Sequence, residues 1–392
     1  MIYCPYCNHP NPDGARFCGK CGRPIEQTQS TNPAGGQTAP PQGKRKSSFI
    51  DSLNDYVGSD RQADLNWRVL FTDVFKSHTM EEAEEVFICG TRKTTPAPSE
   101  VMKGWPHPWL YGRVLALFVV AYALLWVCVN VFSNSNALPG MIMMGSFAFP
   151  LATMVLFVEL NAWRNVSFYQ VLKVFFVGGC LSLVATLFLF SIVEVGELDF
   201  VGAFTVGLIE EAGKAIIVFV CLKTLSERLN ILSGMVVGAA VGAGFAAFES
   251  AGYAMQPIIS FFQYYGFAAA HGQVLDPQIM LTAINHSIIA RGFLSPGGHV
   301  AWAAISGVGL VAAAKSTGTL SANLFVSGKF LRLFIIPVVL HGLWDSPLAG
   351  WINEIFPFAG YIALIFMVWV VMLLLINMGL AEVSKSTNQP NQ

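Results

Sequence analysis

Three ionisable residues, Glu210, Glu211 and Lys214, stand within five positions of one another in the middle of an otherwise apolar segment. Later apolar segments add Glu249, His299, and His341 with Asp345. A charged side chain at mid-membrane costs about 2.5–3.5 kcal/mol, so Glu210, Glu211, Lys214 and Glu249 together cost about 10–14 kcal/mol before pairing. That rivals the net stability of a whole domain. On a helix Lys214 reaches both Glu210, four residues before it, and Glu211, three before it, while the two carboxylates diverge by about 100°. One can be paired and the other left for chemistry. A salt bridge that merely fixes helix packing needs a single Glu–Lys pair and leaves the second Glu unexplained. His341 and Asp345 share one helical face at i,i+4, where the carboxylate can orient the imidazole and fix its tautomer. A lone buried His is ordinarily a satisfied packing residue. Two beside three acids point to acid–base chemistry, metal ligation or an ion path.

A second constellation lies at the N-terminus, where Cys4-x2-Cys7 and Cys18-x2-Cys21 flank a turn-rich stretch with Pro10, Pro12 and Gly14. Each pair forms a knuckle that presents two thiolates to one tetrahedral Zn²⁺. Residues 1–25 are too few to build a core, so the metal supplies the folding energy. Four thiolates leave no open position, which makes this zinc structural, with His9 a bystander. No apolar run precedes the cysteines, so no cleavable secretory signal is expected. Cys89, Cys128, Cys180 and Cys221 are scattered singly and read as small buried hydrophobes rather than a disulfide framework.

The elements that must position the ionisable cluster are membrane helices. The chain is 54% hydrophobic and only 12% charged, against roughly 25% charged in an ordinary soluble domain. Its net charge of −1 gives no global field, and no nucleic-acid partner is expected. Residues 26–47, rich in Gln, Thr, Pro and Gly, read as a disordered linker. Residues 48–112 read as a juxtamembrane region of two or three short helices. One amphipathic stretch there carries Leu65, Val69, Leu70, Val74 and Phe75, and Thr79 with Glu82 forms a capping box before Val86. Trp105, Trp109 and Tyr111 then suit a membrane interface.

Apolar runs of spanning length fall at 113–132, 140–160, 168–192, 200–222, 230–254, 298–315, 331–350 and 358–380. The fold class is therefore an all-α polytopic membrane protein of about eight transmembrane helices, with residues 113–380 as the membrane domain and 381–392 as a tail. Arg164, Lys223, Arg228, Lys315, Lys329 and Lys385 lie at one set of helix ends; Glu194, Glu197, Asp199 and Glu354 lie at the other. Positive-inside places both termini in the cytoplasm, the reducing compartment that a zinc–thiolate ribbon requires. Arg291 is the exception on the outer side, in a 255–297 connection that reads as a re-entrant or interfacial helix. Glu210 and His341 each come out about ten residues from the outer end of their spans, with Glu249 and His299 nearer the surface. The candidates can meet in a cavity in the outer half of the bilayer.

At these residues the sequence resembles the PrsW family of intramembrane proteases, relatives of the type II CAAX prenyl endopeptidases and of the multi-span scaffold subunit of gamma-secretase. The family's EExxK is Glu210-Glu211-x2-Lys214, and its FxxxE is Phe245-x3-Glu249. Its Arg-x7-His-x7-Gly is Arg291, His299 and Gly307, and its HxxxD is His341-x3-Asp345. All four occur in the family's order, and the resemblance covers roughly Val114 to Leu380. It implies hydrolysis of peptide bonds within or beside a bacterial cytoplasmic membrane, on membrane-anchored regulators such as anti-sigma factors. No HExxH and no GxGD aspartyl pair occurs, and Ala304-Ile305-Ser306-Gly307 only approximates the rhomboid GxSG.

The chemistry implied is water attack on an amide, with Glu210 or Glu211 as general base and the other held by Lys214. His299 and His341 then either polarise the carbonyl oxygen or, with Glu211 and Glu249, ligate a second, catalytic zinc. Two other classes stay open: a non-enzymatic membrane scaffold or sensor whose ribbon recruits a cytoplasmic partner, and a proton- or ion-coupled transporter. Transport is disfavoured by the lack of an inverted repeat between the two halves.

Overall fold

The computed structural model describes residues 2–3, 10–12, 49–59, 65–101, 104–225, 229–272 and 274–387. The ribbon cysteines Cys4, Cys7, Cys18 and Cys21 and the linker at 26–47 lie outside the described residues. The chain divides into two units, Met1–Ser47 and Ser48–Gln392. In the first, two short strands, β1 (Ile2–Tyr3) and β2 (Pro10–Asn11), pair antiparallel with Ile2 opposite Asn11.

The second unit opens with two short helices, α1 (Phe49–Val57) and α2 (Met80–Phe87). The capping box at the start of α2 forms: Glu82 N–H donates to Thr79 Oγ1 at 3.1 Å, and Thr79 N–H to Glu82 Oε2 at 2.9 Å. The stretch from Leu65 to Phe75 gives only a 3-10 turn at Trp67–Leu70 followed by irregular turns, not an α-helix. Trp109 and Tyr111 tie this region to the bundle: Trp109 stacks on His78 at 3.8 Å between ring centroids, and the Tyr111 hydroxyl donates to Leu70 O at 2.7 Å.

The bundle then runs through α3 (Leu110–Asn130), α4 (Leu138–Leu160), and α5 (Phe168–Lys173), which passes through a π-turn into α6 (Gly179–Ile192). It continues with α7 (Phe200–Lys223), α8 (Ile231–Ala270), α9 (Pro277–Leu294), α10 (His299–Thr317), α11 (Gly328–Asp345), α12 (Pro347–Ile355) and α13 (Ala359–Thr387). Among the described residues, six helical stretches are long and apolar enough to cross a membrane, or seven if the bent pair α11–α12 counts as one span. The helix outside that count is α7: its 24 residues span about 36 Å, and Glu210, Glu211 and Lys214 are what make it less apolar. The expected eight spans are thus approximate: α7 makes the eighth once the bent pair α11–α12 is counted as the seventh.

Three expected boundaries move, each for a visible reason. The 255–297 connection is largely helical: α8 continues unbroken to Ala270 and α9 returns alongside it. This hairpin persists because Ala254 of α8 and Ile284 and Ile288 of α9 bury themselves against Val129, Met141 and Ile142 of α3 and α4. The span expected at 331–350 breaks after Asp345, where the chain bends by 55°. Pro347 forces Ser346 out of helical geometry, to φ −74° and ψ 158°. The tail expected from residue 381 is helical to Thr387, because Glu382 caps the start of α8 by accepting the Ile231 N–H at 2.9 Å.

Close helix crossings set the interior. A Cβ on Gly234 of α8 would lie 2.8 Å from Gly307 O of α10, so only glycine permits this approach. A Cβ on Gly207 of α7 would meet Gly342 N of α11 at 3.0 Å. These two crossings bring the helices carrying Glu210, Glu249, His299 and His341 together.

Candidate active site

The α7 helix delivers its two carboxylates into different surroundings, as their angular separation requires. Glu211 is fully buried. Its Oε1 lies 2.7 Å from Lys214 Nζ and 2.9 Å from His341 Nδ1. Glu210 is held less tightly. Its Oε2 is buried without a hydrogen bond, with Lys214 Nζ at 3.5 Å, His341 Nε2 at 3.7 Å and His299 Nδ1 at 3.9 Å.

Each imidazole is oriented by its own carboxylate. The Nδ1 of His341 faces Glu211, and its Nε2 faces Glu210 and, at 3.3 Å, Asp345 Oδ2. Glu211, not Asp345, therefore holds the far nitrogen. His299 faces Glu249 Oε2 through Nε2 at 3.1 Å, while Lys214 Nζ donates to its Nδ1 at 2.8 Å. Arg291 of α9 pairs with Glu249 and donates from Nε to Ser250 Oγ at 3.0 Å. All seven residues singled out in the sequence, and Arg291, thus belong to one connected cluster.

Two apolar residues complete the site. Phe245, buried on α8, places its ring 4.4 Å beneath Lys214 Nζ. Trp302 stacks on His341 at 4.5 Å between ring centroids. Trp302 was not anticipated; its position three residues after His299 places it on the same face of α10. Glu159, also unremarked, lies outside the site and serves architecture. Its carboxylate accepts the backbone N–H groups of Trp109, Leu110 and Tyr111 at 2.8–2.9 Å, capping α3.

The donor set can be tested against a metal ion. Glu210, His299 and His341 offer one ligand atom each, all within 4.8 Å of one another. Two His and one Glu are a recurrent catalytic-zinc set, with the fourth position left for water or substrate. With its Nδ1–H given to Glu211, His341 turns an Nε2 lone pair toward Glu210 Oε2 and Asp345. That arrangement of acceptors calls for a positive centre between them, either a proton or a metal ion. The residues fit. The trio differs from the set expected from sequence, since Glu210 stands between the imidazoles whereas Glu211 and Glu249 hold their outer nitrogens, the carboxylate–histidine–metal pattern.

A family model described as PrsW family intramembrane metalloprotease matches residues 166–376, more than half of the chain. A zinc-ribbon domain model matches residues 3–25, which contain all four N-terminal cysteines. No curated protein and no solved structure gives a significant match.

Proposed function

The chain belongs to the PrsW family of intramembrane metalloproteases, and from that premise we propose that it cleaves peptide bonds of membrane-anchored regulatory proteins of the anti-sigma-factor kind. The observation that carries the reading is Glu210 Oε2, a buried carboxylate oxygen without a hydrogen bond, facing two imidazoles whose other nitrogens are already held.

Glu210, His299 and His341 would hold a zinc ion. Such an ion supplies Lewis-acid polarisation of the scissile carbonyl and a nucleophilic water at neutral pH. Glu211 is committed through one oxygen, Oε1, to both Lys214 and His341, which makes it the residue that positions His341, and Glu210, which faces both imidazoles, the one left for chemistry. Glu249, braced by Arg291, positions His299 in the same way. Asp345 has the most exposed side chain of the acids here, at 28% against 10% for Glu210 and 0% for Glu211. It is the carboxylate able to meet water and to carry a proton to the departing amine.

One contact favours a second, metal-free version. Lys214 Nζ hydrogen-bonds the His299 nitrogen that a metal would take. If Lys214 keeps that bond, Glu210 is the general base and His341 polarises the carbonyl. Loop charges support cytoplasmic termini, with the ribbon holding its own structural zinc through Cys4, Cys7, Cys18 and Cys21 and recruiting a cytoplasmic partner. The deciding experiment is cleavage of a membrane-anchored reporter by wild type and Glu210→Gln in vesicles. Undiminished cleavage by the variant would place the chemistry outside this cluster, and no cleavage by wild type would leave a scaffold.

A further inference from the structure

At the end of the bundle away from the cluster, a cavity of about 330 Å³ opens among the first turn of α8, the last turns of α10 and α13, the first turns of α11, and the turn that follows α1. His299 and Lys315 mark the two ends of α10; their sixteen-residue separation puts the cavity about 24 Å from the active site along that helix. It is therefore a separate feature.

Its lining pairs a basic rim with an apolar wall. Lys315, Lys329, Arg332 and Lys385 face it, and among the described lining residues Glu382 is the one carboxylate, so those described side chains sum to three positive charges. Glu382 is already engaged, paired with Lys315 and capping Ile231. Arg332 is held in place from α1: the Tyr56 hydroxyl donates to Arg332 O at 2.9 Å, and the guanidinium lies 5.8 Å from the Tyr56 ring. Leu333, Met378 and Val57 supply the apolar wall.

Excess positive charge around a half-open cavity calls for a multivalent anion, and phosphate is the group that Arg and Lys bind best together. An apolar wall adds nothing to the binding of free phosphate, but it suits the glycerol and upper acyl carbons that follow a lipid headgroup. The cavity also lies where the apolar stretches of α10 and α13 end, at headgroup level in a bilayer. Basic pockets between membrane helices on the cytoplasmic side bind anionic headgroups in this way. We propose that this cavity is a binding site for the phosphate headgroup of an anionic phospholipid. Through Tyr56 and Val57 the bound lipid would steady α1, the helix that follows the linker from the ribbon.

The test uses full-length protein in detergent, titrated with phosphatidylglycerol or phosphatidylcholine and read by native mass spectrometry. The expected result is one phosphatidylglycerol retained per chain, in preference to phosphatidylcholine. Lys329→Gln alone, at an exposed position, should weaken retention about fivefold, and Lys329→Gln/Arg332→Gln roughly thirtyfold, at the usual contribution of a basic residue near anionic lipid. The charge-conserving pair Lys329→Arg/Arg332→Lys should keep the lipid. Equal retention of the two lipids, or retention unchanged by both Gln variants, would overturn the proposal. Retention of added inorganic phosphate without preference for phosphatidylglycerol would overturn the lipid assignment.

Discussion

Replacing each of the adjacent glutamates by glutamine separates chemistry from architecture, because the two carboxylates do different work. Glu211 is fully buried, with charge-assisted contacts of 2.7 Å to Lys214 and 2.9 Å to His341. Removing one partner of a buried ion pair costs about 3–5 kcal/mol, a third or more of a typical domain's net stability. Glu211→Gln should therefore lower the unfolding temperature markedly and lose activity as a consequence. Glu210 Oε2 makes no hydrogen bond, and its nearest cation is 3.5 Å away. Glutamine there keeps the shape, and the lost attraction to Lys214 is offset by removal of a buried charge's desolvation cost, so stability should change by about 1 kcal/mol or less. Its effect should fall on the reaction instead, at about 10²–10⁴-fold if Glu210 is the general base of the metal-free version, and at least as much if it holds the metal. The assay is reporter cleavage in proteoliposomes beside thermal unfolding of the same preparations. If Glu210→Gln cleaves within tenfold of wild type, or if it is the destabilised variant while Glu211→Gln unfolds normally, the division of labour between the two residues is wrong.

Metal content gives a countable check: the full chain with all four ribbon cysteines changed to serine should retain about one zinc, and adding His341→Ala should abolish it together with cleavage. An active, chelator-resistant quadruple variant that carries no metal would instead establish the glutamate-activated water. Gly307→Val should lower the unfolding temperature and the cleavage rate together, since its side chain would displace Gly234 of α8 and shift His299; a stable, active variant would show that this crossing tolerates separation. Cysteines placed at positions 2 and 390 should resist an impermeant thiol reagent in intact cells and react after permeabilisation. Labelling in intact cells would reverse the orientation drawn from loop charge.

The cluster was legible in the sequence because membrane burial makes charge expensive: Glu210, Glu211, Lys214, Glu249, His299 and His341 stand out against apolar neighbours without any knowledge of contacts. Partner choice was not legible. The i,i+3 and i,i+4 spacings allow Lys214 to take either glutamate, and the tighter contact to Glu211 depends on His341, 130 positions away, holding the same oxygen. Asp345, placed by its i,i+4 spacing to orient His341, faces the Nε2 side because Glu211 occupies Nδ1. Helix limits were lost for a related reason. Hydropathy measures what a segment can bury and not what it meets, so it ended the fifth span at residue 254, where the C-terminal half of α8 owes its order to α9 and α4. The break after Asp345, in contrast, was written in Ser346-Pro347 and went unread because the flanking residues are apolar enough to continue a span. That break has a consequence for the chemistry. It ends α11 one turn beyond His341, so the helix that positions the imidazole stops where the exposed edge of Asp345 begins. On the proposed protease reading, water and an unwound substrate segment would reach the cluster at this helix terminus, where neighbouring backbone is already irregular, rather than through the side of an intact helix.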